Sequence, residues 1–319
     1  VLPPPPDTPA STEPNVPTPP PAPPDALAPA SPRGSGLSAG LRRTIIAVVI
    51  VAILLIGIVG YAVAGFAYSS TRVSSANKSL NTVISHQNSL NTTFKDIDTK
   101  FNGLSSGSSF DPKQARTLID QFVANAKSAG AQVDQDDASL VSAKSSLKEQ
   151  QWLTVLSRGN VDRESVRIDH ARKALTSAKT VAGDYVLDGQ FLQAFMDAAI
   201  DLDTLGTQSA NADLTSAKAT LTIMRTHVDK ALQLSTAPGL PKELHDLMVD
   251  FQSLVADFGK LLDAAAAGDL NSITAAEALV EKDANKISAY DFKKIGTEID
   301  DFYKPLVDDF NAEMAKATA

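Results

Sequence analysis

"VSSANKSLNTVISHQNSLNTTFKDIDTKFNGL", residues 73–104, places apolar residues every seven positions. Val73, Leu80, Gln87, Phe94 and Phe101 form one series, and Ala76, Val83, Leu90, Ile97 and Leu104 a second, offset by three. Series spaced in this way share one stripe of an α-helix, the a and d positions of a heptad seam, with Gln87 as its single polar member. Such a seam needs a cover. Either a second copy supplies it, making a homo-oligomer through residues 73–104, or the chain's own later helices do, and spacing alone leaves both open.

Upstream the composition changes abruptly. Fourteen of the 18 prolines lie in the first 32 residues, a stretch without hydrophobic periodicity, so residues 1–43 are expected to be a disordered Pro-rich tail. From Ile45 to Ala67 follow 23 residues without a charge, enough to span the hydrocarbon of a bilayer, and residues 44–68 are expected to form one transmembrane helix. Arg33, Arg42 and Arg43 precede it and Arg72 and Lys78 follow, so the positive-inside rule places the N-terminus in the cytoplasm and residues 69–319 outside. The alternative is a cleaved signal peptide ending at Ala62-Val63-Ala64, which would make the remainder a secreted protein.

Downstream the helical spacing continues. Asp111-Pro112-Lys113-Gln114 is a start signal, with Asp as N-cap, Pro at N1 and Gln at N3, and apolar residues then keep helical spacing towards Ser157 with Gly130 as a candidate bend. "RGN" at 158–160 reads as a turn, Val161–Leu187 and Gln190–Leu205 as helices separated by "DG", and "GTQSAN" as the lead to a helix from Ala212 to Thr236. "APGLPKE" at 237–243 is a corner, followed by a clean seam from Leu244 to Ala265. "AAGDLNSI" turns again, and a last pattern runs from Ile273 to Phe310, bent at Pro305. No segment alternates as a strand would. The expected fold is therefore all-α, an antiparallel multi-helix bundle of long helices occupying residues 69–319.

"LVSAK" at 140–144 and "LTSAK" at 175–179 and 214–218 nearly repeat. Their flanks do not, so the repeat reads as one kind of helix surface used three times, with Leu and Ala in the seam and Ser and Lys beside it. None of Lys144, Lys179 and Lys218 has an acid three or four residues away, so no local ion pair is expected.

Chemistry-bearing patterns are sparse. Cysteine is absent, which excludes disulfides, thiolate metal sites and cysteine nucleophiles. His86, His170, His227 and His245 are scattered and read as solvated helix residues. "DQDD" at 134–137 and "DLDTLG" at 201–206 resemble the opening of a calcium loop without the closing glutamate. "EIDDFYKPLVDDF" at 298–310 reads as a solvated acidic face alternating with buried phenylalanines, and lone Trp152 as a core or bundle-end residue. No catalytic, cofactor-binding or metal site is assigned, and no cofactor is expected. Residues 69–319 carry a net charge of −8, without excess positive charge for nucleic acid or anionic lipid.

The expectation is a non-enzymatic, single-pass membrane protein whose extracytoplasmic bundle acts as a protein-interaction or structural module, with other envelope proteins as partners. The alternative is a sensory bundle holding a small ligand between its helices.

Overall fold

A computed structural model describes residues 74–105, 111–149 and 158–319. The Pro-rich tail, the apolar run at 44–68 and Trp152 lie outside the described residues. Seven helices and no strand are found among those described: α1 (Ser74–Ser105), α2 (Pro112–Glu149), α3 (Arg158–Ala210), α4 (Leu214–Leu234), α5 (Lys242–Ala267), α6 (Leu270–Ser288) and α7 (Phe292–Thr318). They pack as a helical bundle, and all of them fall within one unit of the chain. Among the described residues no helix is long and apolar enough to cross a membrane.

Residue pairs across the seams show how the helices run. Arg116 Nε donates to Asp197 at 2.7 Å, Lys179 pairs with Asp134 at 2.6 Å and Lys144 pairs with Asp169, so α2 and α3 are antiparallel. Tyr303 with Asp188 at 2.6 Å and His170 with Glu313 at 2.6 Å make α7 antiparallel to α3 as well. α4 returns along the far half of α3 through His227 and Asp201 at 2.7 Å. α5 returns along α4 through Gln252 and Asp229 at 2.7 Å, and α6 covers α5 where Lys286 meets Asp250.

Leu80 and Val83 of the heptad seam find their cover within the chain. Leu80 and Val83 of α1 are buried with Val133 and Leu140 of α2, Ile168 and Leu175 of α3, and Phe310 and Met314 of α7. A larger core joins the first half of α2 and the second half of α3 to α4, α5 and the start of α7 around Phe122, Phe191, Phe195, Phe251 and Tyr303. Each fully buried aromatic or leucine side chain contributes about 1.5–3 kcal/mol, so these seams hold the bundle together.

Start and stop signals explain most boundaries. Asp111 Oδ1 accepts from the backbone N–H of Lys113 at 2.9 Å and of Gln114 at 3.3 Å, which caps α2. α2 is continuous through Gly130. Asp213, Asp269 and Asp291 cap α4, α6 and α7 in the same manner. The corner between α4 and α5 lies at "APGLP" and uses Gly239 at φ 86°; Gly268, at φ 68°, closes α5.

Four expectations are corrected. "RGN" opens α3 instead of turning the chain. "DG" at 188–189 does not divide two helices, since α3 continues through it for 53 residues, about 80 Å at 1.5 Å per residue. "GTQSAN" is still helical as far as Ala210, so α4 begins at Leu214 rather than Ala212 and ends at Leu234. The last pattern is two helices, because Asp291 recaps the chain after Ser288, whereas Pro305 lies inside α7 without ending it.

Candidate functional site

Asp188 and Gly189 show why the chain stays helical where sequence suggests a turn. A Cβ at Gly189 would meet Val123 Cγ2 at 2.4 Å and Phe122 Cδ1 at 3.1 Å, so glycine here permits close approach of α2 and α3. Asp188 beside it is buried at 8% exposure and accepts from the Tyr303 hydroxyl through Oδ2, while its Oδ1 has no hydrogen-bond partner. Tyr303 is 1% exposed. Its hydroxyl also lies 3.4 Å from the Pro238 carbonyl, and a Cβ on Gly239 would fall 2.5 Å from the same oxygen. One phenol therefore ties α7, α3 and the α4–α5 corner together.

Aromatic rings enclose the pair. Tyr185 meets Tyr303 edge-on at 5.0 Å, and Phe122 lies 5.4 Å from Tyr185. Burial pushes the Asp188 carboxyl up to about 7, against a lowering by the Tyr303 hydrogen bond, and the Asp184 charge adds a further rise. Tyr303 and Tyr185 are raised by the same burial and by the Asp188 charge, so both stay neutral phenols. Asp184 and Asp300 are raised as well, each chiefly by desolvation. The cluster can store a proton near neutrality, but its deep burial keeps reacting groups of a substrate from the Asp188–Tyr303 pair.

A second feature is an open cleft of about 480 Å³ on the polar side of the α2–α3 seam. Asp134, Asp137, Asp169, Arg172, Lys173 and Lys179 line it, three acids and three bases. Arg172 donates to both oxygens of Asp137, at 2.7 and 3.2 Å, and Lys179 to Asp134 at 2.6 Å. Its charges are largely matched among themselves, and Val133 and Leu175 form its floor.

The structure disperses the acidic motifs. In "DQDD", Asp134 and Asp137 face the cleft, while Asp136 is buried with His86 at 2.8 Å and Gln132 at 3.1 Å. In "DLDTLG" the backbone is helix, and Asp201 takes His227. No three histidine or carboxylate side chains converge as a metal site among the described residues.

Expectations about helix faces need revision in three places. The histidines are seam residues rather than solvated ones: His86, His170 and His227 each meet a carboxylate on another helix, and His245 meets Ser235 at 2.9 Å. An imidazole has an apolar body and polar tip, which suits the edge of a packed seam. Phe302 is 44% exposed while its neighbour Tyr303 is buried, because the seam of α7 steps from Ile299 by four residues. The three LxSAK lysines lack local partners but reach across seams, Lys144 to Asp169, Lys179 to Asp134 and Lys218 to Asp263. Ser177 of the second copy is buried and donates to Asp309 at 2.7 Å.

No protein-family model, curated protein or solved structure matches the chain.

Proposed function

We propose that the chain is a non-enzymatic, single-pass membrane protein, anchored by residues 44–68, whose extracytoplasmic bundle serves other envelope proteins as an interaction or structural module. The observation that carries this is the use of the bundle's polar groups. From Arg116–Asp197 to His170–Glu313, charged side chains along the α2, α3 and α7 seams are engaged in pairing helix to helix, which favours a rigid spacer over a reaction centre. The 23-residue uncharged run supplies the anchor.

Flotation of cell membranes through alkaline carbonate, followed by protease added to intact cells or spheroplasts, tests it. The chain should float with its N-terminal tail attached and lose its bundle to the protease. A soluble chain whose N-terminus is Gly65 would mean that the apolar run is a cleaved signal.

The cleft between α2 and α3 favours a second reading, a sensory bundle that takes a small charged ligand. A thermal-shift screen of zwitterionic and charged metabolites separates the two, because a ligand of the native state raises the melting temperature by mass action.

A further inference from the structure

Four chain segments, the start of α1 among them, gather at one end of the bundle. His86 on Asp136, Lys144 on Asp169, and Arg167 Nε on the Ala317 carbonyl at 2.8 Å bring together the start of α1, the end of α2, the start of α3 and the end of α7. Residues 74–82, 140–149, 158–173 and 310–319 carry nine lysines and arginines against five side-chain carboxylates, a net of +4. All other described residues together carry 16 bases against 29 acids, a net of −13. The net charge of the domain therefore misleads about this end, because the acids lie along the far part of the molecule and the excess of bases where α1 begins.

Six residues lie between Ala67, the last of the apolar run, and Ser74, the first of α1. The seven Cα–Cα steps from Ala67 to Ser74 reach about 25 Å extended and about 10 Å as helix, so an anchor at residues 44–68 would present this end, and not the acidic one, to the bilayer surface. Lys78, Arg163 and Lys173 are exposed there. Two of the exposed large apolar side chains, Val141 at 40% and Val166 at 53%, belong to the same end.

We propose that the basic end of the bundle is a docking surface for the anionic lipid headgroups of the membrane that holds the anchor, and that the acidic remainder is turned away from it. This rests on the anchored reading above. Basic residues within about a Debye length of an anionic surface are drawn to it, and acids are repelled, so the two halves of the charge distribution act in the same sense on orientation.

The test uses the full chain in nanodiscs of phosphatidylcholine alone or mixed with phosphatidylglycerol, each containing a headgroup-quenching lipid. With no native cysteine, single fluorophores are placed by Val166→Cys at the basic end or Ile223→Cys on α4. Quenching at position 166 should be about twofold stronger in the anionic discs and should fall back in about 1 M salt, where the Debye length is near 3 Å. Position 223 should be unaffected by lipid charge. Lys78→Gln, Arg163→Gln and Lys173→Gln together should abolish the anionic enhancement while the circular dichroism spectrum is unchanged. Equal quenching in the two lipids, or an enhancement that survives the triple substitution, overturns the lipid-facing surface; an intact flotation result would leave the anchor standing. Loss of flotation with cell membranes would overturn the anchor and this surface with it.

Discussion

The Tyr303 hydroxyl donates to Asp188 at 2.6 Å across 115 residues of sequence, in the middle of the larger core. Gly239 lies against the same hydroxyl with no room for a Cβ. Three segments that sequence places far apart are thereby fixed at one point, and a carboxyl that titrates near neutrality is fixed with them.

Stability should fall as pH rises through neutrality, because burial lifts folded Asp188 to about 7. Against an unfolded value of about 3.9, its contribution is fully present below about pH 4 and lost as pH passes about 7, on the order of 4 kcal/mol for a three-unit shift. Asp188→Asn keeps an acceptor for Tyr303 and removes the charge. Urea titrations should show the wild-type midpoint dropping between about pH 4 and pH 7 and the variant's dropping less, the remainder coming from Asp184 and Asp300. An identical slope in both would assign the pH dependence elsewhere.

Two glycines in α3 should respond oppositely to alanine. Gly183 faces open space, so Gly183→Ala should stabilise by about 0.5–1 kcal/mol through helix propensity. Gly189→Ala drives a methyl into Val123, whose side chain is stiff in a helix, and should cost about 1–3 kcal/mol in spite of the same propensity gain. Paired thermal melts decide it, and a stabilising Gly189→Ala would mean that the α2–α3 approach is looser than described.

Helix content was readable because seams such as Leu80–Val83 and Leu244–Phe258 repeat at helical spacing, and caps such as Asp111 announce themselves. Breaks were harder. "DG" carries the same letters in a turn and in a tight helix crossing, and only the presence of Val123 across the seam distinguishes them. The Asp188–Tyr303 pair left no local trace, since its members lie on separate helices and each alone resembles a surface residue. The histidines were misjudged, and the cross-helix partners of the LxSAK lysines missed, for the same reason: local spacing detects partners three or four residues away and is blind to the next helix.

Within the LxSAK copies, the leucines should carry the stability. Leu140 and Leu175 are buried at 0% and 1% exposure, so each change to alanine should cost about 2–5 kcal/mol. Leu214, partly buried in the first turn of α4, should cost less. Replacing Lys144, Lys179 and Lys218 together with Gln removes three cross-helix ion pairs, which should lower the melting temperature less than either buried leucine change and not at all in high salt. A lysine triple that unfolds the chain would make these pairs structural anchors.

An acid limb should come from Glu313, which hydrogen bonds from Lys316 and then His170 hold at about 2. A lowered carboxylate contributes stability above its unfolded value and loses it as pH falls through the folded one, here from about 4.5 to about 2. Glu313→Gln should lower the melting temperature near pH 6 and flatten the decline towards pH 2. A decline unchanged in the variant would move the acid limb to other carboxylates.

The continuity of α3 is the claim on which the separation of a basic end from an acidic end depends, and one distance tests it. Spin labels introduced by Val166→Cys and Thr204→Cys, both exposed and separated by the "DG" step, are 38 residues apart on a single helix. At 1.5 Å per residue, double electron–electron resonance on the full chain should give a narrow distribution at about 57 Å. A distribution centred below about 30 Å, as a hairpin at Asp188-Gly189 would produce, would contradict the continuous helix and the charge separation built on it.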